Sequence, residues 1–84
     1  MDSISYVTRG VCARKINVDL EDGKIVRVNF EGGCSGNTQG VAALVAGMDI
    51  DEAVKKLSGI RCGFKATSCP DQLARALAAY REKN

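Results

Sequence analysis

Ala66-Thr67-Ser68-Cys69-Pro70-Asp71 puts a cysteine where a helix begins. Pro70 suits the first helical position, because its missing N–H costs nothing there and its fixed φ is already helical. Two cap assignments satisfy the same residues. Ser68 and Asp71 have the S-x-x-D spacing of a capping box, and Cys69 with Pro70 makes an equally good cap followed by a first helical residue. Either way the Cys69 sulfur sits over the first turn. The positive end of the helix dipole favours thiolate there, and the thiolate is the form that binds metal or attacks an electrophile. The rest of the chain reads as a scaffold that brings Cys12, Cys34 and Cys62 toward Cys69.

The chain has 84 residues, a single domain's worth, and no Trp. A chain this short buries only roughly 60–65% of its unfolded surface, so the core is marginal and a staple would help it. The net charge is +2, with both signs mixed along the chain. This excludes the clustered basic stripe of a nucleic-acid surface. No apolar run approaches the length of a membrane span. Met1-Asp2-Ser3-Ile4-Ser5 has neither the basic nor the apolar region of a signal peptide, so a cytoplasmic location is expected. Four cysteines in a small cytoplasmic chain point to metal or redox chemistry more than to structural disulfides. With no His, any site must use sulfur, carboxylate or backbone.

Working back from the helix, three strands are predicted. Residues 3–8 alternate, with Ile4 and a Tyr6-Val7 pair as the apolar positions. Residues 12–20 carry Ile16, Val18 and Leu20 on one face, and residues 24–30 carry Val26, Val28 and Phe30. Glu21-Asp22-Gly23 is the turn between them. A plain two-residue Asp-Gly loop would set the two apolar faces on opposite sides. A three-residue loop with Gly23 left-handed pairs Val18 with Val26 and Ile16 with Val28, so the buried pattern selects it. This register sets Arg14 opposite Phe30 and Cys12 opposite Gly32, delivering Cys12 and Cys34 to one end of the sheet.

Helices are predicted after the strands. One runs over 38–48, with Val41, Leu44, Val45 and Met48 at helical spacing, and Cys34 lies ahead of it in a Gly-rich loop. Asp49 and Glu52 have capping-box spacing for a short helix ending near Leu57, with Gly59 just past its end. The last helix spans 70–81, with Leu73, Leu77 and Tyr80 as its buried stripe. Strands followed by helices imply an α+β fold, an antiparallel three-stranded sheet with about three helices on one face.

No pair of cysteines has the spacing of a zinc knuckle. The case for a site rests on convergence. Cys12 and Cys34 meet by register, Cys34 and Cys69 both precede helices, and Cys62 and Cys69 flank one connector. Together they make a four-thiolate set suited to zinc or, alternatively, to an iron–sulfur cluster. The plainer account is that the cysteines are small buried apolar residues. Gly32, Gly33 and Gly36 serve either as turn residues or to bring backbone N–H groups close to sulfur. Arg14 either stabilises thiolates or extends to solvent. No nucleophile–base pair is present, so no catalytic residue is assigned.

Thr67-Ser68-Cys69-Pro70-Asp71 resembles the signature of the TSCPD domain family, small cysteine-containing domains found alone or at the C-terminus of some ribonucleoside reductases. The resemblance implies a metal-binding domain of undefined activity over residues 1–84; joined to the convergence of the cysteines, the expected ligands are Cys12, Cys34, Cys62 and Cys69. Its alternative implication is a thiol redox accessory to ribonucleoside-diphosphate reductase. The catalytic barrel of the reductase cannot fit in this length. The protein partner would be such a reductase or a cluster acceptor. A more distant resemblance over residues 12–80 is to NifU/IscU-type iron–sulfur scaffolds. There Cys12, Cys34 and Cys69 match the three family cysteines, while Arg14 and Ser68 replace the family's Asp and His. On this pattern Cys62 would supply the fourth ligand.

Overall fold

A computed structural model describes residues 1–11, 13–32, 35–61, 63 and 65–83. Three strands come first, β1 (Asp2–Val7), β2 (Ala13–Glu21) and β3 (Lys24–Gly32), followed by α1 (Ser35–Val45), α2 (Ile50–Leu57) and α3 (Cys69–Lys83). The strands form an antiparallel meander in the order β1-β2-β3. The α+β expectation therefore holds.

One face of the sheet is apolar. Ile16, Val18, Leu20, Ile25 and Val28 pack against Val45 of α1, Ile50 and Ala53 of α2, and Leu73 and Leu77 of α3. The opposite face is polar and solvated, as period-two alternation requires. There the Ser3 hydroxyl donates to Asp19 at 2.7 Å, and Arg27 pairs with the same carboxylate at 3.0 Å. One step along, Ser5 donates to Asn17 at 2.8 Å and Asn17 to Glu31 at 2.7 Å.

The hairpin corrects the predicted register. Glu21 pairs with Lys24, so the loop is the two residues Asp22 and Gly23, both left-handed at φ 53° and 75°. Positive φ at both central positions is the type I′ geometry that Asp-Gly favours, because its twist matches the strands. Leu20 then pairs with Ile25 and Asp19 with Arg27, and Val26 is left out as a bulge. The extra residue restores the phase: Val18 meets Val28 and Ile16 meets Phe30. Ile25 is thus buried at 1% exposure, while Val26 stands 42% exposed. Local turn chemistry and the buried pattern are both satisfied, at the cost of one apolar residue turned outward.

A second irregularity falls between Ala13 and Lys15, and Ala13 pairs with Gly32. Arg14 occupies the bulge and is exposed, not opposite Phe30. In α1 the helix begins at Ser35, three residues earlier than expected, and ends at Val45, so Met48 lies beyond it. Its buried stripe is turned by one position. Val41, Ala42 and Val45 pack inward, while Leu44 is 77% exposed. Asp49 caps α2 through its carbonyl, which accepts from Ala53 N–H at 3.0 Å; its side chain makes no cap bond. Gly59, at φ 84°, closes α2 as predicted. The Tyr80 hydroxyl donates to Asp2 at 2.5 Å, joining the end of α3 to the start of β1.

Candidate metal centre

The first turn of α3 settles the cap. The Ser68 hydroxyl accepts from Asp71 N–H at 3.1 Å, and the Ser68 carbonyl accepts from Gln72 N–H at 2.8 Å. Ser68 is therefore the N-cap, and Cys69 and Pro70 are the first two helical residues. Pro70 still costs nothing, since the N–H at that position has no helical partner anyway. Cys69 is a free thiol, 8% exposed.

The reciprocal half of a capping box is missing. The Asp71 carboxylate turns instead to its surroundings. It accepts from Gly59 N–H at 2.7 Å and from the Thr67 hydroxyl at 2.5 Å, and it pairs with Arg75 at 3.1 Å. Burial alone would raise its pKa, but the Thr67, Gly59 and Arg75 interactions together outweigh that and hold it below its ordinary value. The Ser68 hydroxyl, while accepting from Asp71, donates to the Ile60 carbonyl at 2.6 Å. Two residues of α3's start thus clamp Gly59 and Ile60, the beginning of the connector that contains Cys62.

A second connection runs the other way. Gln72, 2% exposed, donates to Thr67 Oγ1 at 3.0 Å and accepts from Arg9 N–H at 3.3 Å. A Cβ on Gly10 would lie 3.7 Å from Thr67 Cγ2, so the β1–β2 loop packs on the same threonine. That loop is closed at its base. Thr8 N–H donates to the Arg14 carbonyl at 3.2 Å, and the Thr8 hydroxyl donates to the Ala13 carbonyl. Cys12 belongs to this loop. The hairpin ends at the Ala13–Gly32 pair, one residue from Cys12 and two from Cys34 along the chain.

Cys12, Cys34 and Cys62 themselves lie outside the described residues. Among the described residues no three of His, Cys, Asp and Glu are grouped to hold a metal, and no buried side-chain polar atom lacks a partner. Asp71, the acid nearest Cys69 in sequence, is committed to three partners. The polar side chains around α3's first turn are therefore engaged in holding the backbone.

The TSCPD domain model matches residues 1–81. The chain belongs to the TSCPD domain family. No curated protein and no solved structure matches, so the suggested likeness to NifU/IscU scaffolds is not borne out. Within this TSCPD domain four of the five signature residues shape backbone. Asp71, held by the Thr67 hydroxyl, clamps Gly59, Ser68 caps the helix and holds Ile60, and Pro70 fits the first turn. Gln72, Thr8 and the clamped role of Gly59 are not signalled by the sequence. They depend on partners 12 to 63 residues away or on a loop closure, which no local spacing reveals. No helix among the described residues is long and apolar enough to cross a membrane.

Proposed function

We propose that this TSCPD domain binds one metal ion through the thiolates of Cys12, Cys34, Cys62 and Cys69, in a structural or scaffold role. Zinc is the preferred ion and an iron–sulfur cluster the alternative. The observation that supports this is the set of ties to one helical turn. Arg9 from the Cys12 loop bonds to Gln72, and Gly59 and Ile60 from the Cys62 connector bond to Asp71 and Ser68. Gly32, near Cys34, pairs with Ala13 beside Cys12.

The donor set fits. The chain has no His, its four cysteines are the only soft donors besides two Met, and Asp71 is already engaged. Bound zinc would supply a redox-inert tetrahedral cross-link, and four protein ligands leave no open position for substrate. In a domain of this size such a link is worth on the order of 10 kcal/mol, comparable to the whole folding stability.

Elemental analysis with a visible spectrum, on protein purified anaerobically without chelator, tests the reading. About one zinc per chain and no colour is the expected result. Iron with charge-transfer absorption would select the cluster. Absence of metal, with four titratable thiols, would overturn the proposal in favour of a thiol redox accessory to a ribonucleoside-diphosphate reductase.

A further inference from the structure

The two edges of the sheet are built differently. Along β3 the α1–α2 connector covers the edge: Ile25 N–H donates to the Met48 carbonyl at 2.9 Å and Gly47 N–H to the Ile25 carbonyl at 2.7 Å. The Val26 bulge and the charges of Lys24, Arg27 and Glu31 interrupt what remains. These are the usual protections of an edge strand. β1 lacks the cover and the bulge, and its single charge, Asp2, sits at its first position. It pairs with β2 in unbroken register from Asp2 to Val7, with no bulge, no Pro and no Lys or Arg. Among the described residues no segment pairs with its outer side. Below it lies an open groove of about 520 Å³ between Ile4 and Tyr6 on β1 and Ala76, Ala79 and Tyr80 on α3.

We propose that this edge pairs antiparallel with β1 of a second copy, about a twofold axis through Ser5. The strand's own alternation suits a second copy of itself, and among the registers that keep its faces matched the one centred on Ser5 opposes both of its core-side apolar residues. Pairing centred on Ser5 sets Ile4 against Tyr6 of the other copy, both on the core side, and Ser3 against Val7 on the solvated side. Any one-residue slip would oppose apolar to polar faces. Within the two β1 strands no like charges meet. Asp2, the strand's single charge, comes to the end where the other copy carries the exposed Arg9. The two three-stranded sheets become one, and the two grooves lie side by side on its helix-bearing face. Val7, 70% exposed in one chain, gains a neighbour. The contact is isologous, so it closes as a dimer and does not propagate.

The test uses the full chain as purified, with mass measured by sedimentation across a concentration series. Dimer mass is expected for the natural sequence. Because Ser5 faces itself, Ser5→Lys and Ser5→Glu each place like charges together, and each is expected to halve the mass. An equimolar mixture of the two is expected to recover the dimer. A natural chain that stays monomeric throughout, or a dimer indifferent to both substitutions, overturns the proposal. Hydrogen exchange on the natural chain gives a reading free of variants. Alternate β1 amides should slow as concentration rises, and unchanged exchange overturns the pairing equally.

Discussion

The Asp71 carboxylate accepts the Thr67 hydroxyl at 2.5 Å, four residues apart across the start of α3, and with its other oxygen holds Gly59 N–H at 2.7 Å. Asp71→Asn keeps the shape but exchanges one acceptor oxygen for a donor and removes the charge. A buried donor then faces the Thr67 hydroxyl. The expected cost is about 2 kcal/mol, or a Tm lower by roughly 10 °C. Arg75 is half-exposed, so Arg75→Ala should cost at most about 0.5 kcal/mol. Equal losses from the two variants would show that the ion pair, and not the buried acceptor, is what matters.

Acid unfolding should follow from the same carboxylate. Its folded pKa lies below the ordinary 3.8. The stabilisation is therefore complete above 3.8 and is lost as pH falls through the lower, folded value. Asp19, held down by the Ser3 hydroxyl and Arg27, acts in the same direction. Denaturant midpoints measured from neutral pH downward should stay level until the carboxylate range and then drop. In Asp71→Asn the drop should be shallower. An identical slope in both proteins would remove Asp71 from the account.

At the hairpin, Ile25 and Val26 should respond oppositely to truncation. Ile25→Ala removes a fully buried side chain and should cost about 3 kcal/mol. Val26→Ala, at the bulge, should stay within about 0.5 kcal/mol. The reverse order would restore the three-residue loop.

Gly23 adopts φ 75° in the tight turn, and among the described residues, its chain neighbours aside, no atom lies within 4 Å of where a Cβ would stand, so backbone conformation sets the cost of a side chain there. Gly23→Ala is expected to lower stability by about 1 kcal/mol, measured by urea denaturation. No loss would mean that the turn readily adopts another type.

For the proposed metal, Cys69→Ser and Cys34→Ser should each unfold or severely destabilise the domain. Chelator should do the same to the natural chain. A thermal melt unchanged by all three would sink a structural metal.

Much of the architecture was legible from periodicity and punctuation. Gly59 ends α2, Leu73 and Leu77 fill the core side of α3, and β2 buries Ile16, Val18 and Leu20. The β3 register was not legible, because Val26-x-Val28-x-Phe30 alternates so well that it conceals a bulge. What draws Ile25 inward is its pairing with Gly47 and Met48, which no window around the turn contains. The early start of α1 was hidden for a similar reason. Ser35-Gly36-Asn37 has poor helix propensity, and tertiary context overrides it. At the site, the sequence singled out the Cys69 turn, but its spacing suggested a capping box. The Asp71 carboxylate instead serves a glycine twelve residues upstream.

The Tyr80–Asp2 hydrogen bond closes the polypeptide into something near a ring, since these residues are 78 positions apart and their side chains touch. A short linker would join the end of α3 to the start of β1. The order of elements could then be permuted by cutting at the exposed Asp22-Gly23 turn, leaving every strand and helix intact. Any domain fused before β1 or after α3 would leave from the same corner of the molecule, beside the open strand edge.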